Sequence, residues 1–359
     1  MSDTSLLFTP VRIGSLELRN RIARSATAES LSGPDGAPGD RVAAIYRQLA
    51  AGGVGLIITG HAFVHPGGRC HAMMSGIHHD GLIDPYVLLA RAAHAGGAKI
   101  AMQINHGGRA CDPTVVPEPV APSAVPASPG RPLPHSLDVD EIGSIVAAFG
   151  GAAARAKTAG FDAVQIHSAH GYLLSQFLSP LANRRTDRYG GSLENRARML
   201  AEVAGEIRRV VGHDFPVLVK LGVTDNDEGG LTVEEGAQVA AWLPGFGIDA
   251  VETSTGAKGA IQTRITRENR EAYLLPLARE VRRRSPIPIL LVGGLRSRPV
   301  MERVLAEGIE MVSLSRPLIR EPDLPRKLAA AADARAECVS CNRCWPRGPG
   351  EGIGCKRDE

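Results

Sequence analysis

The chain has 359 residues, 43% of them hydrophobic, and a formal net charge of +3 from 41 basic and 38 acidic side chains. That length and apolar content suit one α/β barrel with a large core, and the basic excess is spread too thinly for a nucleic-acid footprint. The opening MSDTSLLFTP lacks a charged-then-apolar leader, and apolar runs such as VGLIITG and IPILLVGG are too short to cross a bilayer, so no membrane partner and a cytoplasmic location are expected.

Short β-branched runs then alternate with helical patterns. Strands are predicted over 21–25, 56–60, 100–105, 163–167, 217–222, 250–253, 289–292 and 311–314, each apolar on both faces of the pleat. Strands read this way when helices cover one face and a packed interior the other. Helical patterns fall between them, for example over 41–51, 142–159, 193–211, 233–243 and 299–307. Eight strands separated by helices predict a (β/α)₈ TIM barrel over 1–334, with a cysteine-containing tail over 335–359. A doubly wound open sheet would need a GxGxxG turn after an early strand, and the sequence has none. Residues 113–134, rich in Pro, Ala, Ser and Val, form a long connection after strand three. A short hairpin, an extended lid over the barrel mouth and a plain surface loop are its three readings.

Active sites of such barrels lie at the C-terminal strand ends. After strand three comes QINHGGR, from Gln103 to Arg109, and after strand four come His167, His170 and Tyr172. Strand five holds Lys220, strand seven ends in Gly293 and Gly294, and strand eight in Ser315 and Arg316. The last two loops form a recurrent phosphate site. Glycines let an anion approach backbone N–H groups, and an arginine pairs with it. Two imidazoles three apart and a phenol two further on can hydrogen-bond a carbonyl oxygen and deliver a proton. The competing readings of His167 and His170 are a metal pair and two satisfied strand-end histidines.

These motifs bring a family into view. The segment 160–180, GFDAVQIHSAHGYLLSQFLSP, and the segment 183–196, NRRTDRYGGSLENR, resemble the old yellow enzyme family. LFTP at 7–10, LRNRI at 18–22 and QINHGGR at 103–109 are similar to its other signatures, so the resemblance runs from about 6 to about 323. It implies FMN as cofactor, NAD(P)H as co-substrate, and a cycle in which hydride passes through the flavin to an activated alkene. It implies that His167 and His170 bind the activating oxygen and that Tyr172 supplies the proton. It places Gln103 and Lys220 at the flavin ring, and Gly293, Gly294, Ser315 and Arg316 at the FMN phosphate. Ala26, Thr27 and Gly60 would line the flavin with backbone atoms, and a homo-oligomer is expected. One departure stands out: Ala28 occupies the place where the family often has a Thr or Cys side chain touching the flavin.

Cys338, Cys341, Cys344 and Cys355 form a Cys-x₂-Cys-x₂-Cys-x₁₀-Cys array. Four thiolates so spaced suit a [4Fe–4S] cluster or a structural zinc. The 2,4-dienoyl-CoA reductase branch of the family has a similar array with slightly longer gaps, and there a cluster feeds electrons to FMN from a further domain. A cluster, a zinc and reduced thiols are the three expectations. Two further functions stand beside the ene-reductase reading: a zinc-dependent barrel hydrolase using His167 and His170, and a non-catalytic binding protein with a zinc tail.

Overall fold

Eight apolar runs become eight strands: β1 (Ile22–Arg24), β2 (Leu56–Ile58), β3 (Lys99–Asn105), β4 (Ala163–Ser168), β5 (Val217–Gly222), β6 (Ala250–Ser254), β7 (Ile289–Val292) and β8 (Met311–Leu314). The computed structural model describes residues 5–256, 264–266, 270–348 and 350–358. Every neighbouring pair of these strands is parallel, and β2 and β3 pair, Leu56 against Lys99, to close the ring. A closed ring leaves no sheet edge, and helices outside and side chains inside bury both strand faces.

The outer layer consists of α1 (Asp40–Ala51), α2 (Ile83–His94), α3 (Val139–Thr158), α4 (Leu193–Val211), α5 (Val233–Trp242), α6 (Leu275–Arg284), α7 (Arg298–Ala306) and α8 (Leu324–Ala330). Local chemistry sets several starts. Asp138 and Glu141 form a reciprocal capping box at α3, as Thr232 and Glu235 do at α5. Each box satisfies backbone N–H groups that the first helical turn leaves unpaired.

The lower interior of the barrel is packed by small and branched residues, Ala23, Ala101, Ala163 and Ala250 among Leu56, Leu218, Leu290 and Met311. An antiparallel hairpin, Val11–Ile13 with Leu16–Leu18, closes that end by adding Ile13, Leu16 and Leu18 to the same cluster. The connection after β3 is not a hairpin. Val120–Ala121 pairs with His135–Ser136 in parallel, so the chain between them loops back before it rejoins. Among the described residues no helix is long and apolar enough to cross a membrane. The plug leaves one end of the barrel, at the C-terminal strand ends, open for a site.

Candidate active site

A cleft opens at those strand ends. Ala26, Thr27, Gln103, His167, His170, Tyr172, Lys220, Gly293, Gly294, Ser315 and Arg316 all line it. Parallel strands put the ends of β1, β3, β4, β5, β7 and β8 on one face, which is why residues as far apart in the chain as Ala26 and Arg316 converge. Ala28 also lines the cleft and offers only a methyl group there. Gly60 lies beside a smaller cavity shared with Ala28, Glu29 and His61. Its N–H donates to Glu29 Oε1 at 3.4 Å, and an added Cβ would lie 2.2 Å from Glu29 Oε2. Close packing behind the cleft wall therefore explains the glycine.

One side of the cleft carries the imidazoles. The ring centroids of His167 and His170 are 5.0 Å apart, and that of Tyr172 is 4.8 Å from His167. The Ala169 N–H donates to His167 Nδ1 at 3.3 Å, so the neutral ring carries its proton on Nε2. His170 Nε2 lies 2.8 Å from Ser254 Oγ at the end of β6. His170 turns the chain with a φ of 60°, and its N–H donates to Thr255 O at 3.0 Å. Burial, helped by neighbouring imidazoles and Lys220, holds both histidines well below the usual imidazole range. Burial first, then the Cys70 and Cys111 thiols, pushes the Tyr172 phenol well above its ordinary value. At neutral pH this side of the cleft is therefore two neutral imidazoles and one protonated phenol.

The floor is charged. Lys220 Nζ donates to Ser25 Oγ at 2.8 Å and lies 3.2 Å from Glu252 Oε2. Gln103 Nε2 donates to Gln165 Oε1 at 2.7 Å. At the far end Gly293 and Gly294 have φ of 119° and 70°, conformations that favour glycine. The Arg316 guanidinium there meets Asn342 Oδ1 and, at 3.5 Å, the Tyr273 hydroxyl.

Several lining groups escape a reading of the sequence. His61, one residue past Gly60, brings its ring centroid to 5.2 Å from Tyr172 and 6.0 Å from His167. Burial, with His71 nearby, depresses its pKa to about 3. Reading one position further at the end of β2 would have found it. Ser254 was equally visible as a polar strand end.

The tail folds back over the cleft. Asn342, Cys344 and Trp345 line it, Ile353 N–H donates to Glu29 O at 3.0 Å, and the Arg41 guanidinium donates to Glu351 O at 2.9 Å. The expected metal array is not supported. Among the described residues no three His, Cys, Asp or Glu side chains are placed to hold a metal ion. Cys338 and Cys344 are buried while Cys341 and Cys355 are half-buried, and Arg320 Nη1 lies 3.8 Å from Cys355 Sγ. Among the described residues His167 and His170 likewise gain no carboxylate or thiol as a third ligand, which disfavours the zinc hydrolase. The segment 255–270, which follows β6, lies partly outside the described residues.

Comparison with known proteins agrees with this geometry. The family model described as NADH:flavin oxidoreductase / NADH oxidase matches residues 6–334. An NADH oxidase of Thermoanaerobacter brockii is 38% identical over 342 residues, covering 94% of this chain and 52% of that protein. An NADPH dehydrogenase of Geobacillus sp. (strain WCH70) is 36% identical over 346 residues, covering 96% of this chain and 98% of that protein. A solved complex of 2-naphthoyl-CoA reductase with 2-naphthoyl-CoA superposes with a TM-score of 0.89 at 31% identity, covering 94% of this chain and 54% of that one. The chain thus spans about half the length of the oxidase and of the naphthoyl-CoA reductase, and nearly all of the dehydrogenase.

Proposed function

The chain belongs to the NADH:flavin oxidoreductase / NADH oxidase family, the old yellow enzymes, and from that premise we propose that it binds FMN in the barrel-mouth cleft and reduces an activated carbon–carbon double bond with hydride from NAD(P)H. The observation behind this reading is the division of one cleft into three chemistries. Neutral donors line one side, a buried ammonium and an amide form the floor, and paired glycines meet an arginine at the far end.

The residues present fit an FMN. Lys220 and Gln103 offer a cation and a hydrogen-bonding amide to the polar edge of a flavin ring. Gly293, Gly294, Ser315 and Arg316 offer a phosphate an open backbone and a guanidinium. Bound there, FMN would accept hydride from the nicotinamide and return it to the second substrate. Thr27 Oγ1 lies 2.9 Å from Ser315 Oγ, so the wall formed after β1 is held against the proposed phosphate end.

The imidazoles do the orienting. His167 Nε2–H, and His170 where it sits against Ser254, would hold the oxygen that activates the alkene. Negative charge grows on that oxygen as hydride reaches the β-carbon, and fixed donors in a buried site stabilise it without reorganising. Tyr172, protonated because it is buried, would give its proton to the α-carbon. The same donors suit the amide oxygen of a nicotinamide, so the two substrates would use one site in turn. The names NADH oxidase and NADPH dehydrogenase among the relatives support a nicotinamide donor. Purified protein should be yellow and release FMN on denaturation. A colourless protein that takes up no FMN would remove this reading.

A further inference from the structure

The floor of the cleft holds a carboxylate that the reaction as described leaves unused. Glu252, in β6, is fully buried, with a relative exposure of 0%. It stands in register with Lys220 on β5, which is itself almost fully buried. Its Oε1 accepts from Ser25 Oγ at 2.6 Å and from Ser313 Oγ at 2.7 Å. Its Oε2 accepts from Gln165 Nε2 at 3.0 Å and faces Lys220 Nζ at 3.2 Å. Ser25, Gln165 and Ser313 stand on or beside β1, β4 and β8, so one acid is gripped from across the barrel.

A buried carboxylate is costly unless it is paired and hydrogen-bonded, and this one is both. Burial alone would raise its pKa, but Lys220 and the three donors outweigh burial and hold Glu252 below the usual carboxylate range. It is therefore an anion at neutral pH. It also meets the lining of the cleft twice, at Lys220 directly and at Gln103 through Gln165. In a site of low dielectric, a fixed negative charge so close to the lysine cancels much of the field the lysine projects.

We propose that Glu252 is a positioning residue that holds Lys220 on the cleft floor and sets its effective charge, and so poises the reduction potential of the bound flavin below the value an unopposed lysine would give. The proposal rests on the FMN reading above. Reduction adds negative charge to the flavin, so the Lys220 ammonium favours the reduced form and the Glu252 carboxylate opposes it. Gln103 would be aligned by the same anion through the Gln165 amide.

The test is potentiometry on FMN-bound Glu252→Gln, which keeps the shape and one acceptor oxygen but removes the charge. The expected result is a potential raised by at least about 30 mV, a tenfold change in the equilibrium constant for two-electron reduction. In a Lys220→Gln background the Glu252→Gln shift should largely vanish, because a fully buried carboxylate without its ammonium partner takes up a proton and leaves no charge for the substitution to remove. A structural role would give no shift, or the same shift in both backgrounds, and either outcome overturns the proposal. If Glu252→Gln alone fails to accumulate as folded protein, the Lys220→Gln/Glu252→Gln pair should restore it, and failure of that rescue also overturns the proposal. Wild-type protein that binds no FMN would defeat the functional reading itself, whereas a yellow wild type with an unshifted Glu252→Gln would defeat this inference alone.

Discussion

Burial sets the protonation of His167, His170 and Tyr172, and with it the roles proposed for them. Tyr172→Phe removes one hydroxyl and little volume. The protein should stay yellow and be reduced by NAD(P)H at nearly the wild-type rate, while reoxidation by an enone slows by at least about tenfold, within the range for general acid catalysis. Stopped-flow measurement of the two half-reactions checks this, and wild-type reoxidation would make Tyr172 a pocket wall. Lys220→Met should do more than weaken FMN binding or lower its potential. It strands the Glu252 carboxylate at 0% exposure, and removing one member of a buried pair costs about 3–5 kcal/mol. Denaturant unfolding should show that loss, and Glu252→Gln added to Lys220→Met should recover much of it. His167, His170 and Tyr172 were legible because they end or follow a strand whose limits are clear, and Lys220 because it is a lone cation inside an apolar strand. Glu252, Gln165 and Ser25 were not, because their worth lies in partners on other strands, and one sequence does not show which strands share a layer.

Strands were legible as elements because burial on both faces leaves short apolar runs bounded by turns, and the barrel follows from eight of them. The hairpin Val11–Ile13 with Leu16–Leu18 was not read, since Arg12 and Glu17 interrupt its two short apolar runs. Of the three readings of the connection after β3, the hairpin gives way to a parallel pair, because pairing across a long loop is set by what the loop packs on. The turn after β7 gives the sharpest test at this scale. Gly294 has a φ of 70°, and a Cβ there would lie 2.7 Å from Tyr273 Cδ1 and Cε1. Gly294→Ala should cost about 1–2 kcal/mol for the left-handed backbone alone and should loosen FMN at its proposed phosphate end. Thermal unfolding and FMN retention on dilution measure the two effects. Unchanged retention would place the phosphate elsewhere.

The whole molecule responds to acid through its buried imidazoles. Burial is the main cause of pKa values of about 3 for His61 and His106, against about 6.5 for an exposed imidazole. Each folded-state pKa is lowered, so the unfolded chain takes up the proton first. Their contribution is present in full above pH ~6.5 and is lost as the pH falls toward the folded value. Each ring removes about 1.4 kcal/mol per pH unit in that window. Unfolding free energy should therefore drop by at least roughly 2–3 kcal/mol per unit between about pH 6 and 5, since His167 and His170 add to the two rings, before carboxylates titrate. A flat profile there would mean the two rings are hydrated. The tail, which reads in sequence as a separate cysteine module, packs onto the cleft because Asn342 meets Arg316 and the Ile353 N–H meets Glu29 O, contacts no spacing of cysteines encodes. The central claim, hydride passing from a nicotinamide to an alkene through one flavin-bearing cleft, is most directly tested by an anaerobic cycle. NADH or NADPH is added to the yellow protein until its flavin absorbance bleaches, and an enone is then added. The absorbance should then return with one equivalent of saturated product per flavin. Bleaching without recovery on a panel of enones, or recovery without a saturated product, would contradict it.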